Sequence, residues 1–522
     1  VYILQSRDIT TLFPIEALEQ DGKLRAYMSA GTVLLGMKEP FTNLGFDLMS
    51  TMFPTIINVM TNKKKKPLTN NFVKHAGNRM FVDMSYLLSS GFVAKQFGKS
   101  MSGNDLPLRG VMAKLMQEYG KVLKHQGIHF RIPFGVAGYS AKMIGNMGKI
   151  NKIPITKRYQ AMKEVGNQWY ERMVLAQGKA ISVEERLDFA SEALVDAFKL
   201  SQLEGMYCLA INNYIKIEKM LNKYFDDNYH LETLVQSLPG CVTQTMTIEL
   251  NKYAKYCHEY GVEPNREDPE FKKILKVYGH RGNIELDFGT RRWREDPTYL
   301  LNLVTSFMKD QMYERNLQDY EMKKLEAEDM IIEVTEALKS KIGQRKARKY
   351  ELLMKHYRYG GAMREYPKSD IVRFLDLGRR SVLTIGEEFV KADKLDAAED
   401  IFFLYKNQIL SICDHRGIAQ SNRASYDKEM QRTTIPRMVL NNGHTYYSAS
   451  IIDPDTKIIQ GMALSPGTYE GQVRIVMDPL NSNLKEGEVM VTESTNPAWT
   501  PLFATAGALI MTYGGPMSHG GI

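Results

Sequence analysis

Length, composition and charge limit the class of protein that this sequence can encode. The chain has 522 residues, which is enough for about three domains. Its residues are 43% hydrophobic and 25% charged, as in ordinary globular proteins. No run of about 18 apolar residues is present, so we expect no transmembrane helix and no membrane partner. The net charge of +8 suits an anionic ligand, and because no nucleic-acid-binding motif accompanies it, we expect no nucleic acid partner.

The four cysteines favour a reducing compartment. They form no CxxC pair, and their spacing fits neither a zinc site nor a disulfide framework. We therefore expect a cytoplasmic protein with no metal ligands in this chain. The sequence starts with Val1 rather than Met and stops directly after a glycine-rich turn, so we expect a fragment of a longer protein.

The residue pattern predicts a short strand and a loop in 1–14, followed by a mostly helical region over 15–440. Ser182 and Glu185 have the spacing of a capping box at a helix start. Asp268-Pro269 combines an N-cap residue with a proline that suits the first helical turn. Apolar residues at helical spacing follow both starts, and we expect these stripes to face the hydrophobic core.

The pattern changes to short strands after the helical region. Three strand-like runs and one short helical segment alternate with turns, at 472–477, 489–492, 500–506 and 509–513. This alternation predicts a small α/β domain over 441–522. The fold class is therefore predicted to be multidomain, with a mostly α-helical central domain followed by a small α/β domain.

A glycine-rich turn near the end of the chain carries the clearest chemical signal. Gly514 and Gly515 precede Ser518 and His519. Glycines permit a sharp turn and the close approach of a ligand. Ser518 could cap a following helix, whose N-terminus would favour a phosphoryl group on His519. An unprotonated imidazole can attack phosphorus at neutral pH. From the turn alone, a structural role for this histidine is the alternative.

Three segments of the C-terminal region, 463–473, 495–503 and 514–519, resemble the swivelling phosphohistidine domain of a dikinase family. The family includes phosphoenolpyruvate synthase, pyruvate phosphate dikinase and rifampin phosphotransferase. The resemblance implies that His519 takes the β-phosphoryl group of ATP and passes it to a substrate.

The N-terminus gives a second resemblance, to the closing strand of the ATP-grasp domain in the same enzymes. It implies that Gln5 and Arg7 contact the nucleotide phosphates, while ATP and Mg²⁺ are bound mainly by a preceding domain. The long helical interval before His519 favours the domain order of rifampin phosphotransferase. The resemblance thus implies the end of an ATP-grasp domain, a rifampin-type substrate domain and a truncated swivelling domain, over 1–14, 15–440 and 441–522.

Arg364, Glu365 and Lys368 resemble a charged cluster that faces the phosphohistidine in this family. The resemblance implies that the two cations neutralise the moving phosphoryl group. It also implies that Glu365 takes the proton of the acceptor hydroxyl. A salt-bridge cluster at the start of a helix is the alternative interpretation.

A charged segment in the middle of the chain, 278–297, also resembles the substrate domain of these enzymes. Dense charge within a helical region is typical of buried ion pairs that hold helices together. We expect this structural role for His280, Arg281, Glu285 and Asp287.

The acceptor pocket is predicted near the beginning of the helical region. Residues 27–45 lie where the rifampin enzymes have their first substrate-binding helix. The stretch 32–37 is apolar here, whereas those enzymes carry a more polar one. An apolar pocket would suit a large apolar acceptor, either rifampin or another molecule. The predicted lining residues are Val33, Leu34, Met37 and Met49.

These resemblances predict a dikinase-type phosphotransferase that acts on a hydroxyl of an apolar small molecule, such as the antibiotic rifampin, and releases AMP and phosphate. Two alternatives are left open. A phosphoenolpyruvate synthase-like enzyme acting on pyruvate would need a barrel domain after the phosphohistidine domain. A non-catalytic binding protein would hold its ligand equally well without ATP and without His519.

Overall fold

A computed structural model describes most of the chain. The described residues are 22–33, 39–52, 73–90, 106–127, 135–208, 211–225, 229–432, 435–447, 461, 463–465, 467–479, 482–493, 495, 499–512 and 520. The predicted strand and loop in 1–14 lie outside these residues. Helices dominate the described part, and none of them is both long enough and apolar enough to span a bilayer.

The helices of eight or more residues follow one another through the region that the sequence predicts to be helical. They are α1 Asn43–Ser50, α2 Leu106–His125, α3 Gly135–Asn151, α4 Ile155–Gln177, α5 Val183–Cys208, α6 Ile211–Tyr224, α7 Val242–Tyr260, α8 Pro269–Tyr278, α9 Thr298–Met308, α10 Met312–Ile342, α11 Gln344–Met363, α12 Tyr366–Lys391 and α13 His415–Met430. Shorter helical turns lie at Ala30–Val33, Ser85–Leu88, Leu231–Leu234, Lys309–Gln311, Ala398–Phe403, Lys406–Ile409 and Thr500–Phe503.

Two helices, α5 and α8, begin with the capping interactions that the sequence predicts. At the start of α5, the Glu185 backbone N–H donates to Ser182 Oγ at 3.2 Å. The Ser182 backbone N–H in turn donates to Glu185 Oε2 at 2.9 Å, which completes a capping box. At the start of α8, Asp268 Oδ1 accepts a hydrogen bond from the Glu270 N–H at 2.8 Å. Pro269 occupies the first turn, where its missing N–H leaves no helical bond unmade.

An antiparallel sheet lies inside the region predicted to be mostly helical, and the sequence pattern did not indicate it. Its strands are β1 Ala26–Ser29, β2 Val73–Ala76, β3 Arg79–Asp83, β4 Met438–Leu440 and β5 Thr445–Tyr446, in the order β2-β3-β1-β4-β5. On β1, Tyr27 pairs with Asp83 on one side and with Val439 on the other. The sheet therefore joins the two ends of the helical region and continues past position 440.

The small C-terminal sheet agrees with the strands that the sequence predicts. It contains β6 Val473–Ile475, β7 Val489–Thr492 and β8 Ala508–Met511 in that order, all parallel. The helical turn Thr500–Phe503 crosses between β7 and β8, as parallel strands require a crossover. Met490, Trp499 and Leu502 are buried in one hydrophobic cluster with residues of α7 and α9. This cluster packs the C-terminal sheet against the helical region.

The most extensive helix–helix contact is between α5 and α12. Gly378 permits it, because a Cβ atom there would lie 2.6 Å from the Phe288 ring and 3.3 Å from the backbone of Ala190. Along the same helix, the Arg379 side chain is fully buried and pairs with Glu295 at 2.7 Å and Glu399 at 3.1 Å. Apolar and charged contacts thus alternate along the buried face of α12.

Two carboxyl groups meet in this interface. Glu204 on α5 and Asp370 on α12 are both buried, at 0% and 3% exposure. A Cβ atom on Gly166 of α4 would lie 2.3 Å from Asp370 Oδ2 and 3.1 Å from Glu204 Oε1. Both carboxyl groups therefore lie beside Gly166 and close to each other. Burial raises the pKa of the Glu204 carboxyl far above its usual range, and the negative charge of Asp370 raises it further. Burial also raises the pKa of Asp370.

This pair predicts a specific pH dependence of folding stability. Glutamate in the unfolded chain titrates near pH 4, whereas folded Glu204 keeps its proton to much higher pH. Between these two pKa values the folded state binds one more proton than the unfolded state does. The free energy of unfolding therefore falls as pH rises through this range, by at most about 1.4 kcal/mol per pH unit. Glu204→Gln cannot titrate and retains an N–H donor for Asp370, so its melting temperature should decline less steeply than that of the wild type between about pH 6 and 9.

The matched control is Glu192→Gln, which changes an exposed glutamate on the same helix. Its melting temperature should follow the wild-type slope. Identical slopes for Glu204→Gln and the wild type would show that the buried pair does not hold the extra proton.

Candidate functional site

The predicted charged cluster occupies the junction between two long helices. The helix α11 ends at Met363 and α12 begins at Tyr366, so Arg364 and Glu365 lie between them and Lys368 lies in the first turn of α12. Arg364 and Glu365 both have right-handed helical backbone angles, with φ of −58° and −80°. The cluster is therefore presented at the N-terminal end of α12, where the helix dipole favours negative charge.

Each cation of the cluster has a carboxylate partner. Arg364 Nη2 lies 2.7 Å from Glu365 Oε1, and Lys368 Nζ lies 3.2 Å from Glu285 Oε2. The Arg364 and Lys368 side chains are 22% and 26% exposed, whereas that of Glu285 is only 3% exposed. Both side chains are thus partly exposed, although Nε and Nη2 of Arg364 are themselves buried, and the carboxylate behind Lys368 is nearly inaccessible.

The charged segment after α8 forms the expected buried ion pair. Arg281 Nε donates to Glu285 Oε1 at 2.8 Å, and both side chains are nearly inaccessible to solvent. Asp287 has a different role, because its carboxylate accepts hydrogen bonds from the Thr42 N–H at 3.0 Å and the Thr42 hydroxyl at 2.8 Å. It thereby fixes the start of α1 to the loop.

His280 is a buried neutral side chain. Burial lowers its pKa well below the usual histidine range, and the positive charges of Arg281, Arg294 and Arg373 lower it further. Its Nε2 atom lies 3.4 Å from the Ser369 hydroxyl on α12. The predicted ion-pair role therefore applies to Arg281 and Glu285, and His280 contributes a polar contact to α12 instead.

Several predicted site residues cannot be placed in this geometry. His519, Gln5, Arg7, Leu34 and Met37 lie outside the described residues. Val33 ends the helical turn Ala30–Val33, and its side chain is not among those described. Met49 on α1 is fully buried in the hydrophobic cluster that α1, α5 and α12 share.

An open cleft lies beside the same helix α1. It has a volume of about 650 Å³, which is in the range of small-molecule pockets. Burial raises the pKa of Asp47 at its edge, although a hydrogen bond from the Lys406 N–H lowers it. The described lining residues are Asp47, Leu48, Thr51, Ser191, Tyr405, Lys406, Asn407, Gln408 and Leu410.

Two buried carboxyl groups, Glu285 beside the cluster and Glu204 in the α5–α12 interface, were not assigned these roles from the sequence. The contact of Glu285 with Lys368 joins distant segments, and no local pattern indicates it. Glu204 did carry a signal, because it continues the buried stripe of Ala197 and Leu200 at helical spacing. A carboxyl group in such a stripe indicates a buried partner or a bound proton.

Comparison with known families supports the resemblance seen in the sequence. The profile described as "Rifampicin phosphotransferase fourth domain" matches residues 203–365, which include Glu285 and the beginning of the charged cluster. The profile described as "PEP-utilising enzyme, mobile domain" matches residues 484–522, which include His519.

Two individual relatives align along the whole chain, and a third aligns with about half of it. Rifampicin phosphotransferase of Bacillus subtilis (strain 168) is 24% identical over 564 residues, covering 100% of this chain and 60% of its own length. The enzyme of the same name from Bacillus cereus is 23% identical over 569 residues, covering 100% of this chain and 61% of its own. The prodigiosin synthesizing transferase PigC of Serratia marcescens is 24% identical over 260 residues, covering 48% of this chain and 29% of its own. The chain thus spans about 60% of the length of the first two relatives. The chain is thus similar along its whole length to the rifampicin phosphotransferases, and its C-terminal segment is similar to the mobile domain of PEP-utilising enzymes, in agreement with the resemblance seen in the sequence.

Proposed function

We propose that this chain supplies the acceptor-binding and phosphohistidine parts of a dikinase-type phosphotransferase. His519 carries a phosphoryl group from ATP to a hydroxyl of an apolar small molecule such as rifampin. One observation carries the proposal: the side chains of Arg364 and Lys368 are partly exposed at the start of α12, in a chain whose C-terminal segment matches a PEP-utilising mobile domain.

The reaction proceeds in two stages. In the first, the His519 imidazole forms an N–P bond with the β-phosphoryl group of ATP, AMP leaves, and water releases the γ-phosphoryl group as phosphate. In the second, the N–P bond breaks as an oxygen of the acceptor forms a P–O bond. The hydroxyl proton passes to Glu365. The net change converts ATP, water and acceptor into AMP, phosphate and phosphorylated acceptor.

The start of α12 suits the second stage on electrostatic grounds. Charge on the transferring phosphoryl group is stabilised by positive groups that are already oriented. Arg364 and Lys368 provide two such groups, and the N-terminus of a 26-residue helix adds a favourable dipole. Pro367 in the first turn of α12 has no backbone N–H to donate. The side chains of Arg364 and Lys368 therefore provide much of the hydrogen-bond donor capacity available to a phosphoryl group there.

The ion pair between Arg364 and Glu365 couples phosphoryl binding to proton transfer. At 2.7 Å the carboxylate of Glu365 is engaged with the guanidinium. Phosphoryl oxygens compete with that carboxylate for Arg364, since arginine binds phosphate and carboxylate in the same way. Arrival of the phosphohistidine thereby releases Glu365 to accept the proton of the hydroxyl.

ATP and Mg²⁺ belong to the first stage of this proposal. Gln5 and Arg7 are the residues of this chain that we assign to the nucleotide phosphates, by resemblance. Among the described residues, no group of three or more His, Cys, Asp or Glu side chains could hold a metal ion, and we assign Mg²⁺ no ligand there.

The acceptor is assigned by chemical class. Val33, Leu34 and Met37 are proposed to line an apolar pocket, with Met49 supporting it from the core. One relative is named for prodigiosin synthesis rather than for rifampicin, so acceptors other than rifampin are also to be tested.

The first prediction concerns product formation by the full-length protein that contains this chain. With Mg-ATP, AMP and phosphate should form in equal amounts and only when rifampin is present. AMP formation that depends on pyruvate instead would favour the phosphoenolpyruvate synthase-like alternative. If no acceptor promotes AMP formation, and ligand binding is unchanged by removal of ATP, the protein is a binding protein.

The second prediction concerns the phosphohistidine. His519→Ala should abolish AMP formation and the retention of label from ATP labelled at the β-phosphoryl group, because the nucleophile is lost. His125→Ala, which removes an exposed histidine at the end of α2, should retain both. Acceptor phosphorylation by the His519→Ala protein would disprove the proposed carrier.

The third prediction separates the two stages. Lys368→Met keeps the length of the side chain but removes its charge, so it should reduce the rate of transfer to the acceptor by roughly 10²-fold. Labelling of His519 should be preserved. Lys391→Met, at the exposed end of the same helix, should leave both stages unchanged. An equal loss in both stages would place Lys368 outside the acceptor site.

A further inference from the structure

Glu285 lies at the centre of the charged contacts behind the 364–368 cluster. It lies in the loop between α8 and α9, and one carboxylate oxygen accepts from Arg281 Nε at 2.8 Å. The other oxygen lies 3.2 Å from Lys368 Nζ on α12. A single buried carboxylate therefore connects the loop to the first turn of α12.

The charge of Glu285 is fixed at all physiological pH values. Burial would raise its pKa, but the positive charges of Arg281 and Lys368 lower the pKa to about 2. The carboxylate is therefore ionised whenever the protein is folded near neutral pH. It gives Lys368 a permanent counter-charge on the buried side of its ammonium group.

The position of Glu285 is fixed through its backbone as well. Arg292 Nη1 donates to the Glu285 carbonyl oxygen at 2.9 Å, and Arg292 Nη2 donates to the Asp287 carbonyl oxygen at 2.9 Å. Arg292 is itself fully buried. The loop that presents Glu285 is thus held by charge-assisted hydrogen bonds at Glu285 itself and two residues after it.

Lysine needs such a partner more than arginine does. Its ammonium group is carried on a flexible four-carbon stem and lacks the planar geometry that orients a guanidinium group. Lys368 is partly exposed, so without Glu285 its ammonium group could occupy many positions in solvent. Arg364 pairs with Glu365, whereas the buried carboxylate that contacts Lys368 is that of Glu285.

We propose that Glu285 is a positioning residue for phosphoryl transfer: held by Arg281, it orients the Lys368 ammonium group within the 364–368 cluster. This role rests on the proposed function of the cluster. It assigns Glu285 no contact with the phosphoryl group or the acceptor. Its effect is exerted entirely through Lys368.

The first arm of the test measures the contact in this chain without any turnover. Lysines are modified by reductive methylation at about pH 8, and the Lys368 peptide is quantified by mass spectrometry. Glu285→Gln has nearly the same shape but no charge, so the Lys368 amine should react several-fold faster than in the wild type. Glu285→Asp, which keeps the charge, should fall between the two.

The second arm measures the two stages in the full-length protein. Glu285→Gln should lower kcat for acceptor phosphorylation at least tenfold, change KM for the acceptor less than twofold and leave His519 labelling intact. Glu429→Gln is the matched control, because Glu429 is a buried carboxylate that pairs with Arg79 at 2.8 Å and Arg432 at 2.6 Å in another part of the fold. Glu429→Gln should lower the melting temperature, but it should not slow acceptor phosphorylation selectively while leaving His519 labelling intact.

The two arms distinguish failure of this inference from failure of the proposed function. If the wild type phosphorylates an acceptor but Glu285→Gln keeps its kcat, Glu285 is not a positioning residue. If Lys368 reactivity is unchanged by Glu285→Gln, the positioning contact itself is refuted, whatever the activity. If the wild type has no transferase activity while Lys368 reactivity rises as expected, the contact stands and the proposed function falls.

Discussion

Charged side chains buried along α12 must each meet an opposite charge or a hydrogen-bond partner, and this requirement governs how the helical region is assembled. Arg379 forms an ion pair with Glu295, and Asp376 forms one with Arg294 at 3.1 Å. Both partners come from the loop between α8 and α9. The same loop supplies Glu285 to Lys368. Satisfying the buried charges therefore also fixes the first turn of α12, where the candidate site lies.

The local parts of the fold were predictable because their causes are local. The capping box at Ser182 and the Asp268-Pro269 start depend on neighbouring residues, and both were confirmed. The three C-terminal strands were also indicated by short apolar runs between turns. The antiparallel sheet was missed because its short strands come from the two ends of the helical region, and no local pattern indicates that they pair. Its central pairing of Tyr27 with Val439 depends on packing across the whole helical region.

The candidate site was predictable only in part, for a related reason. The resemblance indicated Arg364, Glu365 and Lys368 as a cluster, and their proximity follows from their spacing at a helix start. The partner of Lys368 is Glu285, whose position depends on the tertiary structure. The acceptor residues are predicted from a stretch whose apolar composition fits both a pocket and a core. Met49, which is fully buried, shows that this composition alone does not separate the two.

The two buried acidic sites that border α12 are opposite in protonation, and the reason is the distance to positive charge. Glu285 has Arg281 and Lys368 within 2.8 Å and 3.2 Å, and its pKa is lowered to about 2. Asp370 has Arg373 only at 3.7 Å and borders Glu204, and both of these carboxyl groups have raised pKa values. One site is therefore a fixed negative charge and the other retains a proton. Only a fixed charge can serve as a constant counter-ion, so Glu285 can orient Lys368, whereas the Glu204–Asp370 pair joins α5 and α12 through a retained proton, with Arg373 farther away.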